Sequence, residues 1–320
     1  MKNILITAGG TGIAWHLCKI AKEYFSQDFV IHICDVNEPE LVPASVYSDY
    51  VHVVPMSNQT GYMAEIQRIV SEYKIDIIIP LLPEEGRMFA SDSEFIIRNG
   101  LFTSAPSLST YNKITDKKSL FYTLKELNIV TPLIYTVPSD IEPTKDYILK
   151  PRLGFGSLGI RIVKGEELKN NSTTYFFDDS TIIQEYCKGE DPVEVTVECF
   201  NTGELLRIFA RQRISVKSGV CVKSRMIKSD VFYDDICKLI RTYDMPIAFN
   251  AQYLYSQEKW KLFDLNLRLG AGTPLATSFG FQLTRAFLSE LSGRPVDDSF
   301  FEVDSDIKTV LRVYQEIVIK

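Results

Sequence analysis

The segment KLFDLNLRL, residues 261–269, places three polar side chains between apolar ones at alternate positions. Successive side chains of a strand point to opposite faces of its sheet, so Asp264, Asn266 and Arg268 share one face. The opposite face is apolar and consists of Phe263, Leu265, Leu267 and Leu269. Aspartate and asparagine are poor strand formers, and finding both beside an arginine indicates a binding site. The alternative is an amphipathic hairpin with a solvated polar face.

The preceding segment FNAQYLY, residues 249–255, carries Asn250 and Gln252 on a common face. If the two segments form a hairpin over residues 256–259, the polar sets share a face when Gln252 lies opposite Asp264. This register predicts a loop of odd length, because a slip of one residue inverts the faces. The expected result is a cluster of carboxylate and amide oxygens with a guanidinium beside it. Hard oxygen ligands suit Mg²⁺ carrying nucleotide phosphates, and arginine suits a phosphoryl group in transit.

A third strand-like segment, VEVTVECF at residues 193–200, places Glu194 on the same face as Thr196 and Glu198. A carboxylate at this position can accept a hydrogen bond from a ribose hydroxyl. An ordinary surface glutamate is the alternative for this strand taken alone.

The stretch GFGSLG, residues 154–159, has the glycine spacing G-x-G-x-x-G that several nucleotide-binding folds use. A Rossmann fingerprint opens a helix, but residues 160–163 alternate as a strand does. A Walker A loop and a protein kinase are excluded because Gly-Lys, H-R-D and D-F-G do not occur in the sequence. What remains is a glycine hairpin whose amides, with the Ser157 hydroxyl and the Lys150 ammonium, suit phosphate oxygens. A plain hairpin turn with a surface lysine is the alternative.

The first hundred residues alternate between apolar strand patterns and helical spacing, which predicts a parallel sheet covered on both faces. The predicted strands are NILIT, FVIHICD, VHVVP and DIIIPLLP. After the first of them, GGTG at residues 9–12 and the later Asp35 approximate a Rossmann fingerprint with its ribose-binding acid. No third glycine follows Gly12 at the required offset, so NAD binding is the less favoured interpretation, and a tight turn explains the glycines.

Composition excludes several classes of protein. The chain has 320 residues, a net charge of −6 and 45% hydrophobic residues, as ordinary globular proteins do. The lack of a long basic run argues against nucleic acid as a partner, and no apolar stretch reaches the roughly 20 residues of a membrane span. Six scattered cysteines without a C-x-x-C pair predict neither zinc nor disulfides and fit a reducing cytoplasm. The histidines, His16, His32 and His52, are expected to be structural or surface residues.

Taken in order, five segments resemble the ATP-grasp superfamily, closest to its carbamoyl-phosphate-synthase-like and biotin-carboxylase-like carboxylate–amine ligases. They are TDKKSLFYTLKELNIVTP, YILKPRLGFGSLGI, IIQEYCKGEDPVEVTV, FNAQYL and FDLNLRLGAGTPL. The resemblance implies an α/β fold: a Rossmann-like, parallel-sheet pre-ATP-grasp domain followed by a two-part α+β ATP-grasp domain. The expected boundaries are 1–110 for the first domain, 111–182 for a lid subdomain with the glycine loop, and 183–320 for an antiparallel subdomain.

The resemblance also assigns roles to residues and implies ATP with Mg²⁺ or Mn²⁺ as cofactors. Lys117 and Lys150 would hold the ATP phosphates, and Arg268 would lie near the transferred phosphoryl group as a catalytic residue together with Lys150. The other expected ATP contacts are Gly154, Gly156, Ser157, Gly159, Glu185 at the adenine edge and Glu194 at the ribose. The expected metal ligands are Gln252, Asp264 and Asn266. Arg211 and Arg213 would lie near the acceptor carboxylate.

These roles imply an ATP-dependent ligase that activates a small carboxylate as an acyl phosphate and joins it to an amine, commonly that of an amino acid. One position departs from the family, which usually has glutamate where this chain has Asp264. A protein that binds or senses ATP without turnover is therefore an alternative, and an NAD-linked oxidoreductase is a weaker one. A homodimer is expected by analogy alone.

Overall fold

The computed structural model describes residues 1–154, 159–176, 178–187, 193–313 and 315–319. Gly156 and Ser157 lie outside the described residues. The described chain forms a five-stranded, a four-stranded and a six-stranded sheet.

The first sheet is parallel throughout, as the near-continuous apolar strands predict, and has the strand order β3-β2-β1-β4-β5. Its elements are β1 (Lys2–Ile6), α1 (Gly12–Tyr24), β2 (Phe29–Asp35), β3 (Tyr50–Val53), α2 (Tyr62–Tyr73), β4 (Ile77–Ile79), α3 (Pro83–Ser91), α4 (Ser93–Arg98) and β5 (Phe102–Thr103). Helix α1 begins where the Thr11 side chain accepts a hydrogen bond from the Ala14 amide. Because α1 follows the end of β1, its first turn lies at the carboxyl edge of the sheet, where ligands of such sheets bind.

The second sheet is antiparallel, with the order β6-β9-β7-β8. The elements are α5 (Leu108–Ile114), α6 (Lys117–Glu126), β6 (Ile134–Tyr135), β7 (Asp146–Pro151), β8 (Arg161–Lys164), α7 (Gly165–Asn170), α8 (Ser172–Phe176) and β9 (Thr181–Glu185). Asp116 caps α6 by accepting hydrogen bonds from the amides of Lys118 and Ser119. Strand β9, through which the predicted boundary at residue 182 passes, pairs with β6 and β7.

The third sheet is antiparallel and has the order β14-β13-β10-β11-β12-β15. Its elements are β10 (Val193–Asn201), β11 (Leu206–Lys217), β12 (Val220–Met226), α9 (Tyr233–Thr242), β13 (Ala248–Ser256), β14 (Lys259–Asn266), α10 (Thr273–Ser278), α11 (Leu283–Ser292) and β15 (Val310–Leu311). One hydrophobic cluster joins the β1–α1 layer to α11 and to Phe200 and Phe209 of this sheet. The first and third sheets therefore share a core, and close packing of this kind holds the cleft between them in a defined shape.

The titratable residues outside the cleft fit structural roles. His16, His32 and His52 are all buried, and His32 Nδ1 lies 3.0 Å from His52 Nε2. Over the described ranges there is no group of three or more histidine, cysteine, aspartate and glutamate side chains placed to hold a metal ion. In the same ranges, no helix is long and apolar enough to cross a membrane.

Candidate active site

A cleft of about 990 Å³ lies where the three sheets meet. The layer of the first sheet contributes Thr11 and Gly12, where α1 begins, and the loop after β4. The second sheet contributes Lys150, and the third contributes the polar faces of β10, β11, β13 and β14. The predicted site residues that line it are Lys117, Lys150, Gly154, Glu185, Glu194, Arg211, Arg213, Gln252, Asp264, Asn266 and Arg268. Gly156 and Ser157 are undescribed, and Gly159, which is described, is not among the lining residues.

The hairpin of β13 and β14 has the predicted register, with Gln252 opposite Asp264 and Asn250 opposite Asn266. The predicted odd loop is wrong. The turn has two residues between the paired Ser256 and Lys259, both with positive φ, of 52° and 60°. The pairing shifts by one residue along the hairpin, since Gln252 pairs with Asp264 but Tyr253 pairs with Leu262. This shift keeps the predicted register at the cleft end of the hairpin. An even turn and a one-residue bulge together replace the odd loop.

The extra residue of this bulge is Phe263, and it changes which side chains face the cleft. Phe263 lines the cleft beside Asp264, although simple alternation predicts the opposite face. The Lys150 Nζ lies 5.6 Å from the centre of its ring. The bulge also puts Lys261, whose strand partner is Leu254, on the same face as Asp264. Strict alternation assigns Lys261 to the other face, which is why sequence reasoning missed it.

Two lysines and one carboxylate form the positively charged end of the cleft. Burial lowers the pKa of Lys150 to about 8, with the charge of Asp264 opposing this shift and that of Lys117 adding to it. Burial likewise raises the pKa of Asp264, against the charges of Lys117 and Lys150. Lys117 Nζ donates a hydrogen bond to the Gly154 carbonyl at 2.9 Å, which ties α6 to the start of the glycine stretch. The Lys150 ammonium and the Asp264 carboxylate are therefore both poorly solvated. A bound anion would compensate the ammonium, and a bound cation would compensate the carboxylate.

The three predicted metal ligands supply one carboxylate and two amides. The Nδ2 of Asn266 donates to Asn250 Oδ1 at 3.2 Å, which leaves the Asn266 carbonyl oxygen for another partner. Mg²⁺ is often bound through one or two carboxylates together with substrate phosphates, so Asp264 with Gln252 and Asn266 fits one such ion. The residues thus fit a metal that arrives with a nucleotide.

Arg268 follows directly on the same face. Its Nη1 donates to the Leu269 carbonyl at 3.0 Å, and its buried Nε has no hydrogen-bond partner among the described residues. Burial lowers the pKa of this guanidinium, and the charge of Asp264 is among those that oppose the shift. A buried donor without a partner is costly, and an anionic ligand oxygen at this place would satisfy it.

Glu185 also lines the cleft, and its carboxylate is already engaged. Lys261 Nζ donates to Glu185 Oε1 at 2.6 Å, and the Leu133 amide donates to Oε2 at 3.2 Å. The Glu185 side chain is 14% exposed and the Lys261 side chain is 6% exposed, so the two form a buried ion pair. The carboxylate therefore holds the end of β9 against Lys261 and the Leu133 backbone. Gln257, in the hairpin turn, accepts a second hydrogen bond from Lys261 at 3.0 Å.

We expect Lys261→Met to raise the KM for ATP about tenfold or more, because it leaves buried and unpaired the Glu185 carboxylate that the family resemblance places at the adenine edge. The kcat should fall much less, since the substitution leaves the positively charged end of the cleft unchanged. Steady-state kinetics at saturating second substrates measures both values, and Lys261→Arg should restore most of the affinity. A loss of kcat as large as the increase expected for KM, with KM itself unchanged, would contradict this positioning role.

The glutamates and arginines of β10 and β11 pair with one another. Glu194 lies 2.9 Å from Arg213 Nε, and burial raises the pKa of Glu194 while Arg213 opposes the shift. Arg211 donates to Glu198 Oε1 through Nη2 at 2.7 Å and through Nε at 3.2 Å, and both side chains are almost fully buried. Glu198, which sequence reasoning left without a role, also accepts from the Thr273 hydroxyl at 3.2 Å.

Two glycines have conformations or neighbours that another residue would not tolerate. Gly154 and Gly159, at the two ends of the glycine stretch, have φ of 135° and 73°, which favours glycine. The Cβ of an alanine at position 159 would lie 2.8 Å from Pro151. The conformations at the two described ends of the stretch therefore favour glycine.

Asp35, the expected ribose acid of the oxidoreductase interpretation, is a structural residue. It accepts hydrogen bonds from the Gly10 amide at 2.7 Å and from the Asn37 side chain at 2.8 Å. Asp35 thereby holds the glycine loop against β2, and its oxygens are occupied where a ribose would need them. This geometry agrees with the tight-turn explanation of GGTG.

Three family models match the chain. A PylC-like N-terminal domain matches residues 4–101, an ATP-grasp domain matches residues 114–240, and a model of ATP-grasp in the biosynthetic pathway with Ter operon matches residues 178–313. The two ATP-grasp models together contain every predicted site residue. The chain belongs to the ATP-grasp superfamily, and its N-terminal domain matches the PylC-like kind.

Solved structures share the fold at low sequence identity. A pyruvate carboxylase from Rhizobium etli superposes with a TM-score of 0.72 at 14% identity, over 95% of this chain and 30% of that chain. N5-carboxyaminoimidazole ribonucleotide synthetase from Thermotoga maritima gives 0.68 at 16% identity, over 95% and 78%. The biotin carboxylase domain of 2-oxoglutarate carboxylase from Hydrogenobacter thermophilus, in complex with MgADP, ADP and bicarbonate, gives 0.70 at 14%, over 96% and 72%. No curated protein matches the chain in sequence.

Proposed function

We propose that the protein is an ATP- and Mg²⁺-dependent ligase that converts a small carboxylate to an acyl phosphate and joins it to an amine, that of an amino acid. One observation carries the proposal: the cleft brings together Lys117, Lys150, Asp264 and Arg268, beside Gly154 at the start of the glycine stretch. The neighbouring structures that hold MgADP or bicarbonate, and those named as carboxylases and synthetases, support it. They also support a homodimer, since one of them is described as a dimer.

The residues explain how such a reaction would be catalysed. A carboxylate oxygen attacks the γ-phosphorus, the bond to the β,γ-bridging oxygen breaks, and ADP leaves. The amine nitrogen then attacks the acyl carbon, phosphate leaves, and the nitrogen loses a proton. Lys117 and Lys150 would neutralise phosphate charge, while Arg268 would stabilise the phosphoryl group between its two oxygens. Mg²⁺ held by Asp264, Gln252 and Asn266 would supply Lewis-acid charge stabilisation when bound.

No step in this scheme requires a covalent bond to the enzyme. The cleft acts by positioning the reactants and by preorganised charge, which is the usual contribution of protein to phosphoryl transfer. Burial of Lys150 and Asp264 strengthens their interaction with a bound nucleotide, because the local dielectric is low.

We expect phosphate and ADP release from Mg-ATP to depend on one carboxylate–amine pair within a panel of small carboxylates, bicarbonate and amino acids. Asp264→Asn should abolish release, because it removes the only carboxylate of the proposed metal site. Asp264→Glu, which keeps the charge and the oxygens, is the matched control and should retain activity. ATP that shifts the melting temperature without any acceptor-dependent release would instead support an ATP-sensing protein.

A further inference from the structure

The far end of the cleft, beyond Arg213, has an apolar wall on β11 and β12. The pairing of these strands shifts register between Arg213 and Ser215 and again between Ser215 and Val216. Two such irregularities re-aim side chains that regular alternation would place elsewhere. Ile214, Val216 and Val220 all line the cleft, and the first two are 42% and 43% exposed.

One cation beside this wall is uncompensated. Arg211 and Arg213 are paired with Glu198 and Glu194, but Arg312 forms no ion pair with any described residue. The Arg312 amide donates to the Val222 carbonyl at 2.8 Å, which places the residue against β12, and its Nη2 donates to the Ala271 carbonyl at 2.6 Å. Burial and the charge of Arg211 lower the pKa of Arg312, as expected for a cation that lacks an anion.

A second unsatisfied donor belongs to Arg211, whose charge lowers the pKa of Arg312. Arg211 is 2% exposed, and its Nη1 has no hydrogen-bond partner among the described residues, although its Nε and Nη2 bind Glu198. Arg211 and Arg312 both line the cleft. A buried guanidinium next to an unpaired one is costly in the free protein, and an anion bound at Arg312 would offset the positive charge of both groups.

The combination of an apolar wall with an unpaired arginine defines a class of ligand. We propose that this end of the cleft binds the amine substrate as an α-amino acid with an apolar side chain, its carboxylate on Arg312 and its side chain against Ile214, Val216 and Val220. This inference rests on the proposed ligase function and specifies the acceptor of that same site. An acidic side chain would be desolvated against the wall without a partner, and a lysine side chain would meet the positive charge of Arg312.

The test uses L-leucine, leucinamide, glycine and L-glutamate as probes, with calorimetric binding to the protein saturated with MgADP and with phosphate release from Mg-ATP. Leucine should bind at least tenfold more tightly than leucinamide, which lacks the carboxylate, and than glycine, which lacks the side chain. Glutamate should bind at least as weakly as glycine. Leucine and glutamate binding equally would overturn the inference, and so would leucinamide binding as well as leucine.

Variants separate the two halves of the subsite. Arg312→Gln should weaken leucine at least tenfold and leave leucinamide unchanged, a selective effect that a general loss of structure would not produce. Val216→Ser should weaken leucine severalfold but leave glycine unchanged, and Val231→Ser, at an exposed valine outside the cleft, should change neither. Turnover with polar acceptors alone would overturn this inference and keep the ligase, whereas no acceptor-dependent release would refute the ligase itself.

Discussion

We expect Lys150→Met to lose ATP-dependent turnover by a factor of about a thousand or more and, at the same time, to fold into a more stable protein. The loss follows because the variant removes a preorganised charge from the phosphate end of the cleft, and such groups are worth several kcal/mol in the transition state. The gain follows because the lysine is 6% exposed and burial lowers its pKa to about 8. Each pKa unit below the ordinary lysine value of 10.5 costs about 1.4 kcal/mol, so removal of the ammonium should stabilise the fold by roughly 3–4 kcal/mol.

The stability difference between the wild type and Lys150→Met should depend on pH. Between pH 8 and about 10.5 the unfolded chain holds a proton on Lys150 that the folded chain lacks, so the stability of the wild type rises with pH in this window. The cost of the buried charge is fully present below pH 8. The stability advantage of Lys150→Met should therefore be largest near neutral pH and vanish toward pH 10.5. The wild-type kcat/KM for ATP should fall as the pH rises through about 8.

Denaturant unfolding at several pH values, together with phosphate release, measures both effects. Lys145→Met is the matched control, because Lys145 is an exposed lysine near the start of the same strand, in an ion pair with Glu142. It should change neither activity nor stability by a large amount. A Lys150→Met protein that is less stable than the wild type at pH 7 would show that the ammonium has a compensating partner and does not lower the stability of the fold.

The second large effect concerns the buried pair of Arg211 and Glu198. Glu198→Gln should destabilise the protein by about 3–5 kcal/mol, since it leaves the arginine charged and buried without its carboxylate. Arg211 cannot move away, because it is fully enclosed and its Nη2 would lie 1.7 Å from a Cβ added at Gly272. Thr273 would also lose the anionic acceptor of its hydroxyl. Urea unfolding at pH 7 is the measurement.

A double variant isolates the cause of this loss. Arg211→Met together with Glu198→Leu removes both charges and should recover most of the lost stability, because a buried ion pair is often replaceable by apolar residues of similar volume. Arg207→Gln is the surface control, since its ion pair with Asp298 is exposed. If the double variant is as unstable as Glu198→Gln, the buried charge is not the cause of the lost stability. The loss would then come from the packing and the hydrogen bonds of the two polar side chains.

Part of the site was predictable because it depends on local alternation. The polar face of β14, with Asp264, Asn266 and Arg268, follows from the period of two along a strand. The pairing of Gln252 with Asp264 follows from the requirement that two polar faces coincide. The parallel first sheet was predictable for the same kind of reason, because buried strands such as IIIP have no polar face at all. The family models confirm the resemblance that these segments carry.

Features that depend on distant residues or on irregular pairing were not predictable. The bulge at Phe263 changes the face of Lys261, and this lysine reaches Glu185, which is 76 positions away. The pairing of Arg211 with Glu198 depends on the register of β10 against β11. Arg312 enters the cleft because β15 adds to the edge of the third sheet.

By itself, the sequence determined the class of fold and which polar side chains share one face of β14, because alternation is a local property of the chain. The tertiary structure alone decided which charges are compensated. Lys150 and Arg312 lack close carboxylate partners among the described residues, whereas Arg211, Arg213 and Lys261 have them. The physical reason is that compensation depends on distances between strands of different sheets, and those distances are fixed by packing rather than by any pattern along the chain.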